Sequence, residues 1–493
     1  MTPLDRFFLT PIGRGDEFLP KVRAGAALVF AAALSACTGF SPDGGMSVVA
    51  GIAAQDLKKD IAAIRTLEDA ASAQARVEYL LKRPLTVDNA VQIALLNNRG
   101  LQSAYNELGI AEAAMVQASL PPNPSFSVSR ISGSLGSELE ATVAADILAL
   151  ATLPIRSEIA SDRFHQAQLR AAEETLRVAA DTRRNFYKAV AARELVDFLT
   201  QATSAAETAT KLGKTLGETG AMNKLDQARE QVFYADLTAQ LASARQRASS
   251  EREQLARSMG LWGSDLGFTL PNAVPALPAR PQSLPSVERN AIERRVELQI
   301  ARLELEVLAK SYGLTNATRF VNLFQLSGMY KNTKENVGTE NVNFRDFGPG
   351  MSVEIPIFDF GEVRIRQAEQ TYMLAVNRLA EKAINVRSEA RDAYRVYRST
   401  YDIASHYQRE VLPLRKIISD ETLLRYNAML SDVFTLLNEA RQRIIATNAA
   451  IEAKRDFWLA KTNLQAVVIG GGAASPLGEG PRPAAMASGR DGQ

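Results

Sequence analysis

The sequence predicts a mainly α-helical protein with a β-barrel portion. Three observations carry that expectation: helical periodicity sustained over stretches of roughly 60 residues, two alternating segments of strand period set between the helices, and an export signal at the amino terminus. Composition narrows the function. The chain has 493 residues, 46% of them hydrophobic, with 57 Lys plus Arg against 55 Asp plus Glu. That near balance, with both signs mixed along the chain, argues against a nucleic-acid partner. Beyond the amino terminus there is no apolar run of about 18 residues, so a bundle of membrane helices is excluded. Two histidines, His165 and His406, and one cysteine, Cys37, leave no His/Cys metal cluster and no disulfide within one chain.

Arg14, Lys21 and Arg23 precede the apolar stretch Ala24–Ala33, which has the length of a secretory signal. Leu34-Ser35-Ala36-Cys37 follows it and resembles the bacterial lipobox, in which the cysteine becomes the lipidated first residue. Residues 1–36 are therefore read as a signal peptide and 37–84 as a lipidated arm, with a short helix near Ile61 to Leu81. From Leu85 the pattern is helical until Pro121-Pro122-Asn123-Pro124, which removes amide donors and stops it. Phe126 and Val128 then alternate with serines, and Leu139, Ala141, Val143, Ala145 and Ile147 alternate with Glu140, Thr142, Ala144 and Asp146, which predicts a hairpin over 124–148. Helix resumes after Pro154 to about Leu212. Gly213, Gly217 and Gly220 punctuate a turn, and a further helix runs to about Met259. A proline-rich linker covers 271–285.

The second half repeats the first. Ala94, Leu101, Gln102, Ala104, Glu107 and Leu108 recur at a constant offset of 197 as Ala291, Leu298, Gln299, Ala301, Glu304 and Leu305. The repeats span 85–270 and 286–469. In the second, a hairpin is predicted over 320–358, with one strand around Phe320–Tyr330, a long polar loop at Lys331–Phe347, and a second strand at Met351, Val353, Ile355 and Ile357, followed by a helix from Gly361 to about Glu421 and another from Asp432 to Val468. Small or apolar residues at Ile365, Ala368, Tyr372, Ala375, Leu379, Ala383, Val386, Ala390, Ala393 and Tyr397 form a seam with a stutter at Leu379–Ala383, which suits a straight bundle better than a supercoil. The tail, 470–493, has the Gly/Ala/Pro/Ser composition of disorder. Four strands cannot close a membrane barrel; three chains would supply twelve. A soluble coiled-coil scaffold and a small periplasmic sheet domain are the competing structural readings.

Pro121-Pro122-Asn123-Pro124-Ser125-Phe126-Ser127-Val128 entering the first hairpin and Ile355-Pro356-Ile357-Phe358-Asp359-Phe360-Gly361 leaving the second, within that duplicated order, resemble the TolC-like outer-membrane efflux proteins, and Cys37 resembles their lipoprotein branch. The resemblance covers about 85–469. It implies a homotrimer with a twelve-stranded barrel in outer-membrane lipid, a long antiparallel α-helical barrel crossing the periplasm, and docking to a periplasmic adaptor and a proton-driven inner-membrane pump. The expected function is passive conduction of drugs or metal ions, with no catalysis and no cofactor: there is no P-loop, dinucleotide fingerprint, His-Glu-x-x-His or Gly-x-Ser-x-Gly. The alternative is a lipid-anchored periplasmic coiled coil without transport activity.

Two departures stand out. Ile147–Arg156 lacks the Phe-Asp-x-Gly of the second barrel exit, and Thr435-Leu436-Leu437-Asn438-Glu439-Ala440 replaces the family's Val-Leu-Asp-Ala run at the periplasmic tip. Candidate tip residues, for gating or adaptor contact, are Gly217, Gly220, Asp226, Tyr426, Asn427, Asp432 and Glu439. Each is equally well read as a solvated turn or surface charge. The turns at 213–223 and 422–432 are expected to close at rest and to splay on adaptor contact.

Overall fold

The computed structural model describes residues 39–133, 136–220, 222–337 and 340–472. Cys37, the signal peptide and the tail beyond Gly472 lie outside the described residues. The chain divides into two compact units, one built on 113–160 and 323–354, the other on 42–112, 161–322 and 355–472 within the described chain.

In the larger unit α1 (Met46–Ile52) runs into a π turn at Ala53–Leu57, and α2 covers Leu67–Leu81. The predicted helix from Ile61 begins later because Thr66 and Asp69 form a capping box that fixes its start. Residues 58–65 before it form neither helix nor strand; the Ile64 amide donates to the Gln102 side chain, 2.9 Å. The helix read from Leu85 is two helices, α3 (Val87–Asn97) and α4 (Arg99–Ser119), broken at Asn98. The second repeat breaks at the equivalent residue: α8 (Val287–Arg294) and α9 (Val296–Ala317) meet at Arg295. Asn98 (φ −67°, ψ 116°) and Arg295 (φ −64°, ψ 121°) share one extended conformation, and their amides donate to Ala94 and Ala291. The internal repeat therefore extends to backbone geometry.

Two long antiparallel pairs follow from these. The first is α6 (Leu153–Glu218) with α7 (Lys224–Ser258). In the second, α10 (Glu362–His406) continues through a π turn at Tyr407–Val411 into α11 (Leu412–Asn427) and returns as α12 (Val433–Ile469). Pro413 cannot donate to the preceding turn, and the π turn lies directly before it. The seam is observed: Ala375, Val386, Ala390 and Tyr397 are buried, and Tyr401 and Ala404 extend it. Tyr397 and Tyr401 meet Phe457 at ring centroid distances of 5.5 and 5.6 Å, and Trp458 stacks on Tyr187 of α6 at 5.3 Å. α10 and α12 are thus joined by an aromatic core.

The smaller unit holds one antiparallel sheet of four strands in the order β1 (Ser125–Gly133), β2 (Gly136–Asp146), β3 (Leu323–Val337) and β4 (Glu340–Glu354). The two hairpins are one sheet, because β2 pairs with β3 along its whole length, Gly136 opposite Glu335 through Asp146 opposite Gln325. The long polar loop expected at Lys331–Phe347 is instead strand: β3 runs to Val337 and β4 restarts at Glu340. Most residues there are polar and the apolar Phe344 and Phe347 fall on opposite faces, so the period of two leaves no hydropathy signal. The strands are shorter at the other end than the alternation predicts, because Asp146 caps a helix that starts at Ile147 and β4 ends at Glu354, before Pro356, leaving Ile355 and Ile357 outside it.

Candidate duct wall and tips

The sheet has two unlike faces. Registers place Phe126, Val128, Leu139, Ala141, Val143, Phe324, Leu326, Tyr330, Phe347, Met351 and Val353 on one face. In the isolated chain this apolar face is open, Phe126 and Met351 being 70% and 69% exposed. A large exposed apolar surface needs a cover, and on a sheet with this alternation lipid provides it. The other face carries Ser125, Ser127, Thr142, Gln325, Ser327 and Ser352 with the acids Glu138, Glu140, Asp146, Glu335, Asp346 and Glu354. Lys331 is the cation on this face and pairs with Glu138 at 2.7 Å. The outer strands β1 and β4 each have one unpaired edge within the chain. In a bilayer such bare amides and carbonyls would need partners from outside the sheet.

The two exits from the sheet are built differently. After β2, the Asp146 carboxylate accepts from the Ala149 amide at 2.9 Å and caps a short helix, α5 (Ile147–Ala151), before α6 begins. After β4, Phe358-Asp359-Phe360-Gly361 forms a turn: Asp359 accepts from the Gly361 amide at 3.1 Å, and Phe360 and Gly361 have φ of 46° and 75°. A Cβ on Gly361 would lie 2.3 Å from the Arg319 carbonyl oxygen, so both the conformation and the close approach require glycine. That is the physical content of the Phe-Asp-x-Gly motif.

At the far ends of the long pairs, Asn223 and Asp432 are the N-caps of α7 and α12, accepting from the amides of Asp226 and Thr435 at 2.8 Å each. Gly217 lets α7 approach: a Cβ there would be 1.9 Å from the Gln227 side chain. Gly220 (φ 77°) ends α6, its amide donating to the Gly217 carbonyl. Tyr426 is half-buried at the end of α11, Asn427 and Asp432 are exposed, and Met429 makes the second turn at φ 58°. Asp226 accepts from Arg229 at 3.2 Å. The same guanidinium lies 4.6 Å from the Phe434 ring centroid on α12. Asp432 is held below the usual carboxylate range, first by its Thr435 hydrogen bonds and also by the Arg229 charge. The structure thus brings Asp226 and Asp432 together around Arg229, which sequence reasoning did not single out. Glu439 stands apart from the turn, paired with Arg415 of α11 at 3.2 Å and only 14% exposed.

Glu230 was also missed. It follows Asn223 by the same seven residues that separate Glu439 from Asp432, so the two glutamates are equivalent in the repeats. Among the described residues no arginine pairs with Glu230: it is buried beside Gly213, and its Oε2 has no hydrogen-bond partner. Burial, with Asp226 adding to it, raises its pKa.

The architecture combines a four-stranded sheet with one apolar face in one unit and long helical hairpins in the other. Residues 287–467 match the family model described as Outer membrane efflux protein. The cobalt-zinc-cadmium resistance protein CzcC of Cupriavidus metallidurans is 24% identical over 305 residues, covering 58% of this chain and 68% of that protein. Solved structures share the fold. CusC superimposes with a TM-score of 0.65 at 16% identity, covering 78% of this chain and 92% of that one. The CmeC outer membrane channel of Campylobacter jejuni gives 0.63 at 15% identity, over 81% and 86%. The open state of the Neisseria gonorrhoeae MtrE outer membrane channel gives 0.62 at 16% identity, over 78% and 89%. Residues 287–467 thus match the outer-membrane efflux family, and the chain as a whole shares the fold of these outer-membrane channels.

Proposed function

We propose that this protein is the outer-membrane component of a tripartite efflux system for divalent transition-metal cations, working as a homotrimer with a periplasmic adaptor and a proton-driven inner-membrane pump. The observation that carries the duct reading is the four-stranded sheet with one apolar face, one acidic face and two unpaired edges: three copies supply the twelve strands of a closed barrel whose acidic face lines the lumen. A lipid-anchored coiled coil would have no use for that apolar face. The metal reading is supported by the similarity to a cobalt-zinc-cadmium resistance protein and by a lumen face on which acids outnumber Lys331, an electrostatic preference for cations. The duct supplies no energy and no chemistry. Acylation of Cys37 adds a second hold on the membrane, each buried methylene contributing about 0.8 kcal/mol. The tips at Gly217–Asp226 and Tyr426–Asp432 form the periplasmic gate, closed at rest and splayed by the adaptor, with Glu439 bracing α11 against α12 behind it.

The test is accumulation of cobalt, zinc and cadmium alongside cationic dyes and antibiotics in a deletion strain and its complemented parent. Metal retention is the expected result. Retention of dyes and antibiotics alone would overturn the metal assignment and leave a multidrug duct; retention of neither would overturn the transport reading.

A further inference from the structure

In the helical unit, the π turn after α1 together with α6, α8 and α12 encloses a pocket of about 350 Å³. Three cations line it, Arg183, Arg294 and Lys461, against one acid, Asp56. Arg294 and Asp56 neutralise each other in an ion pair. Arg183 and Lys461 are left over: among the described residues neither has a carboxylate partner. Asp88 is the acid felt by Arg183, and its carboxylate is already bridged to Lys59 at 3.3 Å. The Lys461 ammonium lies 4.6 Å over the Trp458 ring. Both side chains are half-buried. Burial lowers the pKa of each, and the Arg183 charge lowers that of Lys461 further. Two like charges that share a partly desolvated pocket repel, and the amides of Gln465 and Asn290 add neutral donors beside them. Cationic and donor groups converging on a concave surface are the chemistry of an anion receptor.

We propose that this pocket binds a compact anion bearing a carboxylate or phosphate, held between Arg183 and Lys461. The volume equals that of about a dozen waters, enough for a small dianion or one acidic residue of an extended peptide and too little for a folded segment. The anion is either a free small molecule or a carboxylate of the cell-wall stem peptides; only the second source rests on the periplasmic reading above.

The test uses the full-length protein in detergent at constant ionic strength and follows thermal unfolding against two probes, inorganic phosphate and a soluble muropeptide carrying free carboxylates. A ligand that binds only the folded state raises the melting temperature with concentration, and the titration yields its affinity. The expected result is a saturable shift with at least one probe, weakened about tenfold or more in Arg183→Gln and in Lys461→Gln, as loss of one charge-assisted hydrogen bond requires, and unchanged in Arg366→Gln on the exposed face of α10. Without ligand, Lys461→Gln should melt no lower than the parent, because it removes repulsion. Tighter binding of the muropeptide assigns the site to the cell wall; equal or tighter binding of phosphate assigns it to free anions. The proposal is overturned if neither probe shifts the transition, or if the shifts persist unchanged in both glutamine variants. Because the readout is binding and not transport, its failure leaves the efflux reading standing.

Discussion

Arg229 is the side chain on which the two tips converge, so under the proposed gating its replacement should loosen the closed state by a calculable amount. Its pair with Asp226 is part-exposed on both sides, 43% and 27%, and such pairs contribute about 0.2–1 kcal/mol. Its stacking on Phe434 joins α7 to α12 and adds about 0.5–1 kcal/mol at this exposure. Together these give about 1–1.5 kcal/mol, so Arg229→Ala should raise the fraction of splayed tips roughly five- to tenfold per protomer. Purified channels in planar bilayers provide the assay: the variant should spend correspondingly more time in its high-conductance state. In a double-mutant cycle with Phe434→Ala, the combined effect should fall short of the sum, since both changes remove one contact. Conductance and melting temperature both indistinguishable from the parent would refute the reasoning, because the contact would then hold nothing together.

Two further expectations concern charge and membrane placement. Glu230 has its folded pKa raised above its unfolded value, so its contribution favours folding below the unfolded value of about 4.3 and is lost as pH rises through the folded one. Glu230→Gln should therefore raise the melting temperature at pH 7, by the equivalent of about 1–3 kcal/mol for a buried unsatisfied group, and change little at pH 4; equal effects at both pH values would contradict this. On the sheet, Val143→Arg puts a cation on the apolar face, costing about 2–4 kcal/mol at the membrane midplane and less near its surfaces, whereas Thr142→Arg puts it on the polar face. Outer-membrane fractions should retain the heat-resistant oligomer in the second variant and lose it in the first.

Much of the fold is legible in the sequence because single-residue periodicities report single elements. The strand alternation around Val143 and Met351 and the seam from Ala375 to Tyr397 both appear where it places them. The repeat was visible from Ala94 and Ala291 onward, and its shared break at Asn98 and Arg295 lies within the matched segment. What stayed hidden depends on contacts between distant elements or on patterns without contrast. Lys331 to Phe347 are mostly polar, and Phe344 and Phe347 fall on opposite faces, so the strands there carry no period-two signal. Arg229 looks like any surface arginine until α12 brings Phe434 to it, and Glu439 resembles a free tip acid until Arg415 is found across the helix pair. Glu230 could have been found by aligning the two caps, Asn223 and Asp432, and asking why one of two equivalent glutamates lacks an arginine.

The central claim is that the unpaired edges β1 and β4 close against neighbouring copies into a membrane barrel. Cysteines introduced in β1 (Ser127→Cys or Ser129→Cys) and β4 (Gly350→Cys or Ser352→Cys), all on the polar face, test it directly when oxidised in outer-membrane fractions. The account predicts that at least one β1/β4 pairing gives covalent dimers and trimers on denaturing gels, and that the single-cysteine chains give none. Monomers throughout, with the doubly substituted chains still exported and folded, would contradict it.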